Sequence, residues 1–479
     1  MYDVAIIGGG VLGNMTAREL SRYRLDLVVL EKEYDVGEST SKANSGIIHA
    51  GFHPREGSLK GLSCVEGNDM FPQLCEELDV PFKRIGALFI AFKGEESGKR
   101  LERAWARGQA NGVKGMRRLT AQEALEREPG LNPAVDRAIY APSTGIISPF
   151  KLVVALAESA ILNGVRYSFN SGVVSVTDQG GHYALRTKAS EAITARFIVN
   201  TAGGFANHIE GFVRPADLVI KPRRGQYYVF DKGEYVRHVI YQAQESGEGG
   251  TLVTPTVEGN LLVGPTSENV KGFDRTETTR EGLEHVERVA RKILPGLDLS
   301  AVIANFAGIR ANIANVAKEE KDFVVRVSAP RFVSALGIKN PGMTSAPALS
   351  RMIAGMLRNE GLRLEVNRAF IPERKAIGQF LGMTPDRQES ALADNPANGK
   401  IICRCEGISE GDILRALHRP IKTTSLDGLK KRLGLGMGQC QGAFCVMRAI
   451  ELISNALGLP PQKILKNTPG SYYVAGDVK

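Results

Sequence analysis

Cysteine is scarce in this chain, with six thiols in 479 residues. That is too few for a disulfide-stapled scaffold and points to a reducing compartment. Tryptophan occurs once and aromatic residues make up only 6%. Without a dense basic stripe interleaved with aromatic rings, the sequence argues against a nucleic-acid binder. No apolar run reaches the roughly 18 residues that a membrane-spanning helix needs. The N-terminus has no basic segment followed by a long apolar one. It opens directly on the strand-like Tyr2-Asp3-Val4-Ala5-Ile6-Ile7, so it does not read as a signal peptide. A cytoplasmic protein is expected, and any membrane contact would run through a partner. No internal repeat is visible.

What is present fits a soluble chain of two or three domains, with 43% hydrophobic and 24% charged residues. The formal charge of +9 keeps such a surface solvated. It also draws in anions: a phosphate, a carboxylate or an acidic partner.

The first motif is Gly8-x-Gly10-x-x-Gly13. It lies between the apolar run Val4–Ile7 and a helix-spaced stretch from Asn14 to Tyr23. A second strand, Leu27–Leu30, follows and closes on Glu31. The spacing predicts one βαβ unit. Gly8 permits the tight turn, Gly10 lets backbone approach a pyrophosphate, and Gly13 lets helix and strand touch. The helix N-terminus faces the phosphates with free N–H groups, and Glu31 is placed to accept the hydroxyls of an adenosine ribose. The position of the unit at the very start of the chain favours FAD over NAD.

Further along, strands are expected at 87–91, 226–230 and 260–263, and helices near 99–110, 121–127, 150–163 and 280–293. Phe197–Gly204 and Arg331–Gly337 each read as a strand entering a glycine turn. Residues 366–399, with Pro372, Pro385 and Pro396 and weak periodicity, read as a linker. A small domain follows at 400–457 and then a tail, 458–479.

Four of the six cysteines fall in that small domain, as Cys403-Arg404-Cys405 and Cys440-Gln441-Gly442-Ala443-Phe444-Cys445, with 34 residues between the pairs. Four thiolates suit a two-iron cluster. Zinc remains the alternative, although its sites more often use C-x2–4-C knuckles. Ser409-Glu410-Gly411-Asp412 reads as a capped helix start, and a second helix is expected from Cys445 to Leu457. Cys64 and Cys75 read as plain thiols.

The residues as a set resemble a known family. Asn44-Ser45-Gly46-Ile47-Ile48-His49-Ala50-Gly51-Phe52, Pro222-Arg223-Arg224-Gly225-Gln226-Tyr227-Tyr228, Leu262–Thr266, Gly308-Ile309-Arg310 and Gly337–Thr344 are similar to FAD-dependent oxidoreductases of the D-amino-acid-oxidase type. Within that type they are similar to anaerobic, multi-subunit glycerol-3-phosphate dehydrogenases and to L-2-hydroxyglutarate dehydrogenases. The C-terminal piece resembles the [2Fe–2S] domain of bacterioferritin-associated ferredoxins, which implies Cys403, Cys405, Cys440 and Cys445 as ligands. The resemblance implies an α/β chain (α+β overall). A Rossmann-like FAD-binding domain would cover 1–365, with an antiparallel-sheet substrate domain inserted at roughly 80–145 and 210–310, and a small helical [2Fe–2S] domain would follow.

It also implies a set of contacts. Gly8, Gly10, Gly13 and Glu31 would hold the ADP half of FAD, Val173 would present backbone to the adenine, and Ala202 and Gly203 would pack near the adenosine. Thr40, Ser41, Asn44 and Ser45 would line the middle. Gly342, Met343 and Thr344 would close over the flavin at a helix N-terminus, where positive potential suits a reduced, anionic ring.

Oxidising an alcohol by hydride transfer needs a base for the hydroxyl proton and an anchor for the rest of the substrate. His49 is the candidate base and Arg310 the candidate anchor, since a guanidinium grips carboxylate or phosphate with two bonds. Lys339 would add positive charge, and His53, Arg55 and Lys60 an anion-binding rim. Some glycerol-3-phosphate enzymes carry arginine where His53 falls, a departure that weakens direct transfer of their phosphate contacts. The expected reaction is oxidation of sn-glycerol 3-phosphate to dihydroxyacetone phosphate. Electrons would leave through the [2Fe–2S] centre to a flavoprotein or quinone-linked partner. L-2-hydroxyglutarate, an amine substrate, and an electron-transfer subunit with no substrate of its own are the alternatives.

Overall fold

The computed structural model describes the whole chain except residues 190–191, 244–249, 316–321 and 477–479. The strand Tyr2–Ile7 is its centre. It pairs in parallel with Leu27–Leu30 on one side and Ala192–Asn200 on the other, and Arg166–Ser168 and Phe332–Leu336 extend the parallel set. Alternation along these strands feeds two separate cores, because successive side chains leave opposite faces. Val4, Ile6, Leu27, Val29, Phe197 and Val199 enter one core, with the helices Val11–Leu20, Leu59–Leu78, Pro149–Leu162 and Gly342–Asn359. Ala5, Ile7, Val28, Leu30 and Ile198 enter the other, against Tyr183 and Leu185 of an antiparallel meander.

A nine-stranded second sheet draws its strands from residues 87–141 and 218–315. Its longest pairing sets Leu218–Phe230 against Val302–Asn315 in antiparallel register, with Arg223 opposite Arg310. Most ladders are antiparallel, while Val239–Gln242 runs parallel to Ala87–Phe92. The strands expected at 87–91 and 260–263 and the four expected helices are present within a few residues of the bounds read from sequence, while the strand expected at 226–230 is the end of a longer one that starts at Leu218.

The segment 366–399, read as a linker, carries the helix Pro385–Asp394. Pro385 at its first position and Asp386 in its first turn are start signals. The helix buries none of its residues, so it has no apolar stripe for periodicity to find. Beyond it come a short hairpin, Ile401–Cys403 with Ile408–Ser409, and three helices, Glu410–Leu417, Leu426–Leu433 and Val446–Leu457. They close on their own core of Ile408, Ile413, Leu417, Leu429, Leu433, Ile450 and Ile453. Ser409 and Asp412 form the expected capping box. Among the described residues, no helix is long and apolar enough to cross a membrane.

Candidate active site

One cleft of about 2230 Å³ runs between the two sheets. Its floor is the glycine turn, where the backbone leaves no room for side chains. A Cβ on Gly13 would sit 1.9 Å from the Gly8 carbonyl oxygen, and one on Gly8, at φ +104°, would lie 2.7 Å from the Thr201 oxygen. Gly10 is looser, with Ser41 Oγ 3.3 Å from its would-be Cβ. Ser41 Oγ accepts the Val11 N–H at 3.0 Å, tying the 38–45 loop to the helix start. Both Glu31 oxygens accept backbone N–H groups, from Gly9 at 2.7 Å and Glu33 at 2.9 Å. Burial raises the Glu31 carboxyl above its usual range, against the pull of those two bonds.

The loop is held from the other side by the long strand pair. Thr40 Oγ1 donates to the Ile309 carbonyl at 2.6 Å. A Cβ on Gly308 would come within 2.1 Å of the Ala43 oxygen. Asn44 bonds back to the carbonyls of Thr40 and Ser41, and Ser45 hydrogen-bonds Tyr227. Ala202 and Gly203 line the opposite wall near Val173.

His49 is buried and fully engaged. Its N–H donates to Thr344 Oγ1 at 3.0 Å, and its carbonyl accepts Asn68 Nδ2 at 2.9 Å. In the ring, Nε2 faces Asn340 Nδ2 at 2.7 Å and Nδ1 faces the Tyr241 hydroxyl at 3.0 Å. An amide nitrogen only donates, so Nε2 accepts and the single proton of the neutral ring sits on Nδ1, toward Tyr241. Burial pushes the imidazole down to about 4, which keeps it neutral near pH 7. Arg310 donates to the Thr266 carbonyl, its guanidinium lying over Gly225, where a Cβ would meet Nη2 at 2.8 Å. Burial lowers its pKa.

The cleft gathers Gly8, Gly10, Glu31, Thr40, Ser41, Asn44, Ser45, His49, Val173, Ala202, Gly203, Arg310, Lys339, Gly342, Met343 and Thr344 in one lining, and His53 with them. Gly13 supports the floor from behind. Arg55 and Lys60, expected on the rim, do not line it. Lys60 instead lies at the start of the Leu59–Leu78 helix, its ammonium 5.1 Å from the Phe323 ring centroid. Tyr241 and Phe306, which stacks on Tyr227 at 4.7 Å between centroids, carried no sequence signal, and Tyr227 and Asn340 carried none beyond the motifs that contain them. Asn340 lies inside a quoted motif but only the fold sets it against His49.

The four C-terminal cysteines come as two hydrogen-bonded pairs, Cys403 with Cys445 and Cys405 with Cys440. The bond to Cys445 holds the Cys403 thiol down at about 6, with help from the Gly436 and Glu406 amides. The amides of Gly442 and Phe444 lower Cys440. A Cβ on Gly438 would strike Cys405 Cβ at 2.3 Å. Among the described residues no three of these groups close on a point as ligands of a single ion would. Paired thiols under converging N–H groups fit a two-iron cluster better than a lone zinc.

A glycine-floored dinucleotide cleft, with the Arg310 guanidinium entering from the second sheet and the His49 imidazole from the end of the short strand Ile47–Ile48, defines an FAD-dependent oxidoreductase. The chain belongs to the FAD dependent oxidoreductase (DAO) family, whose model matches residues 3–356, and the BFD-like [2Fe-2S] binding domain model matches residues 401–455. Its cofactors are FAD and a [2Fe–2S] cluster. Glycerol 3-phosphate dehydrogenase of Caloramator mitchellensis is 41% identical over all of this chain and 99% of its own length. L-2-hydroxyglutarate dehydrogenase of Arabidopsis thaliana is 27% identical over 74% of this chain and 82% of its own. Among solved structures, L-alpha-glycerophosphate oxidase of Mycoplasma pneumoniae with FAD bound superposes with a TM-score of 0.73. It is 29% identical and covers 78% of this chain and 98% of its own.

Proposed function

We propose that this chain oxidises sn-glycerol 3-phosphate to dihydroxyacetone phosphate and delivers the electrons through its cysteine module to a partner protein. The observation that carries this is the 41% identity to a glycerol 3-phosphate dehydrogenase over the full length, cysteine module included. The hydroxyglutarate enzyme matches over 74% of the chain. When bound, FAD accepts the hydride and the [2Fe–2S] cluster passes electrons on singly.

The protein's own part is binding and proton transfer. Gly8, Gly10 and Glu31 hold the adenosine half of the dinucleotide, Thr40, Ser41, Asn44 and Ser45 its middle, and Gly342–Thr344 the ring end. Arg310 anchors the phosphate dianion. Lys339 adds positive charge on the same wall. His49 takes the hydroxyl proton: its Nε2 already presents a lone pair, and a substrate hydroxyl that displaces the Asn340 amide meets it directly. The Nδ1–H bond to Tyr241 fixes that tautomer and spreads the charge as the imidazolium forms. The C2–H leaves as hydride and the O–H proton moves to His49, so the carbinol becomes a ketone.

Anaerobic mixing of the oxidised protein with sn-glycerol 3-phosphate, L-2-hydroxyglutarate and proline tests the reading. Bleaching of the flavin band by glycerol 3-phosphate alone supports it. Bleaching by hydroxyglutarate in its place, or only through a partner protein, overturns it.

A further inference from the structure

The 35–38 stretch follows the glycine turn and Glu31 and leads into Thr40 and Ser41, so it borders the path of the dinucleotide. It holds two acids. Asp35 is 5% exposed and receives both terminal nitrogens of Arg432, at 2.8 and 3.0 Å. Lys431 reaches Asp35 at 2.8 Å, pairs with Glu38 and donates to the Val36 carbonyl at 3.2 Å. Arg432 and Lys431 belong to the C-terminal helix Leu426–Leu433. Ile421, just before that helix, is buried among Val36, Val153, Val154 and Ala157. A second buried acid, Glu158, takes Arg374 at 2.7 Å and Arg419 at 2.9 Å, both from the C-terminal third of the chain. The stretch has little slack, since the Gly37 N–H donates to the Gly9 carbonyl at 3.0 Å. Lys430, on the same C-terminal helix, lines the cleft together with Ser39–Lys42.

We infer that the iron–sulfur module is a working part of the FAD site: its Leu426–Leu433 helix clamps the 35–38 stretch and presents Lys430 toward the dinucleotide's diphosphate. The inference rests on the cleft being the FAD site and not on the identity of the substrate. Charge carries it. Asp35 and Glu38 alone would set two carboxylates beside an anionic diphosphate, and like charges at that range repel. The module answers with three consecutive cations, Lys430, Lys431 and Arg432. Lys42, paired with Glu38 at 2.5 Å, Asp427 of the module and Lys466, which pairs with Asp427 at 3.2 Å, are further charges near this spot. The local field is net positive only while the module is docked. Arg432 and Lys431 act by positioning the loop, and Lys430 acts on the cofactor directly. Coupling of this kind is reciprocal, so bound FAD must also hold the module down.

The test uses the full-length protein stripped of FAD and retitrated, with flavin fluorescence reporting the dissociation constant. Arg432→Ala and Lys430→Ala should each raise that constant between about 5-fold and 150-fold, the span typical of coupled sites. Asp35→Asn added to Arg432→Ala should recover part of the loss, because it removes the repelling charge. FAD should also slow protease cleavage within 366–399. An unchanged constant in both single variants overturns the inference, as does cleavage indifferent to FAD. If Arg432→Ala does not fold, Lys430→Ala, on a partly exposed side chain, and the protease protection decide it. A protein that binds FAD this way but is not bleached by glycerol 3-phosphate would sink the substrate reading and leave this inference standing.

Discussion

The Nε2 atom of His49 lies 2.7 Å from the side-chain nitrogen of Asn340, two residues 291 positions apart in sequence that meet in the cleft. A neutral amide there leaves the imidazole at the low value that burial imposes, about 4. The imidazole is therefore neutral from about pH 5 upward, and with His49 as the proposed base flavin reduction should fall only as pH drops through 4. Asn340→Asp places a carboxylate opposite the ring and favours the imidazolium. The acid limb of the reduction rate should then move up by about one to three pH units. His49→Ala should slow reduction by roughly 10²–10⁴-fold with FAD still bound. Stopped-flow rates against pH read both effects, and an unmoved limb together with a normal rate would assign proton removal to another group.

Arg310→Ala should raise KM for an anionic substrate by about two orders of magnitude, the scale of ~3 kcal/mol for one side of a desolvated charge pair. FAD content should stay as in the parent. Arg310→Lys should recover only part, since an ammonium cannot make the two-bond fork. Steady-state kinetics with flavin absorbance as the control decide it.

Gly13→Ala and Gly10→Ala should differ sharply. The new methyl at 13 collides with backbone at 1.9 Å, whereas at 10 it meets a serine hydroxyl at 3.3 Å that can shift. Overpacking at 13 should cost ~1–3 kcal/mol and strip the flavin. The variant at 10 should fold normally and bind FAD more weakly. Equal thermal shifts for the two would contradict this account of the floor.

Cys440→Ser should remove the visible absorbance of the cluster and spare single-turnover flavin reduction, while reoxidation by the partner stalls. Loss of flavin reduction as well would show that the module takes part in the first half-reaction.

Asp35 sets a pH window. Burial alone would raise its pKa, but Arg432 and Lys431 outweigh burial and hold it at about 2. A carboxyl whose folded value is depressed lends stability above its unfolded value and loses it as pH falls through the folded one. The contribution, ~2 kcal/mol, is nearly complete above about pH 5 and is lost progressively down to about pH 1. The melting-temperature gap between the parent and Asp35→Asn should be widest near neutral pH and close progressively toward about pH 1. A gap that stays constant with pH would show that this ion pair does not bear on stability.

Much of this was readable in the chain. The glycine turn, the strand that precedes it and Glu31 are local, and each carried its own signal. So did the Ser409–Asp412 cap, whose two partners lie three residues apart. What escaped is long-range. Asp35 and Arg432 are separated by 397 positions, and neither residue type nor spacing marks them as a pair. Tyr241 against His49 is of the same kind. Lys60 was misread because a lysine near an anion-binding motif looks like a ligand, while helix geometry turns it onto Phe323. The Pro385–Asp394 helix was missed because an exposed helix shows no apolar period.

Two long helices, Leu59–Leu78 and Gly342–Asn359, meet closely at Gly67. A Cβ on Gly67 would lie 2.0 Å from the Thr344 carbonyl oxygen, and the hydroxyl of Thr344 holds the His49 backbone. Anything larger than hydrogen at 67 would work as a wedge, prying the threonine from its seat and carrying the imidazole with it. Damage to the chemistry can thus start from a spot that no substrate atom ever reaches.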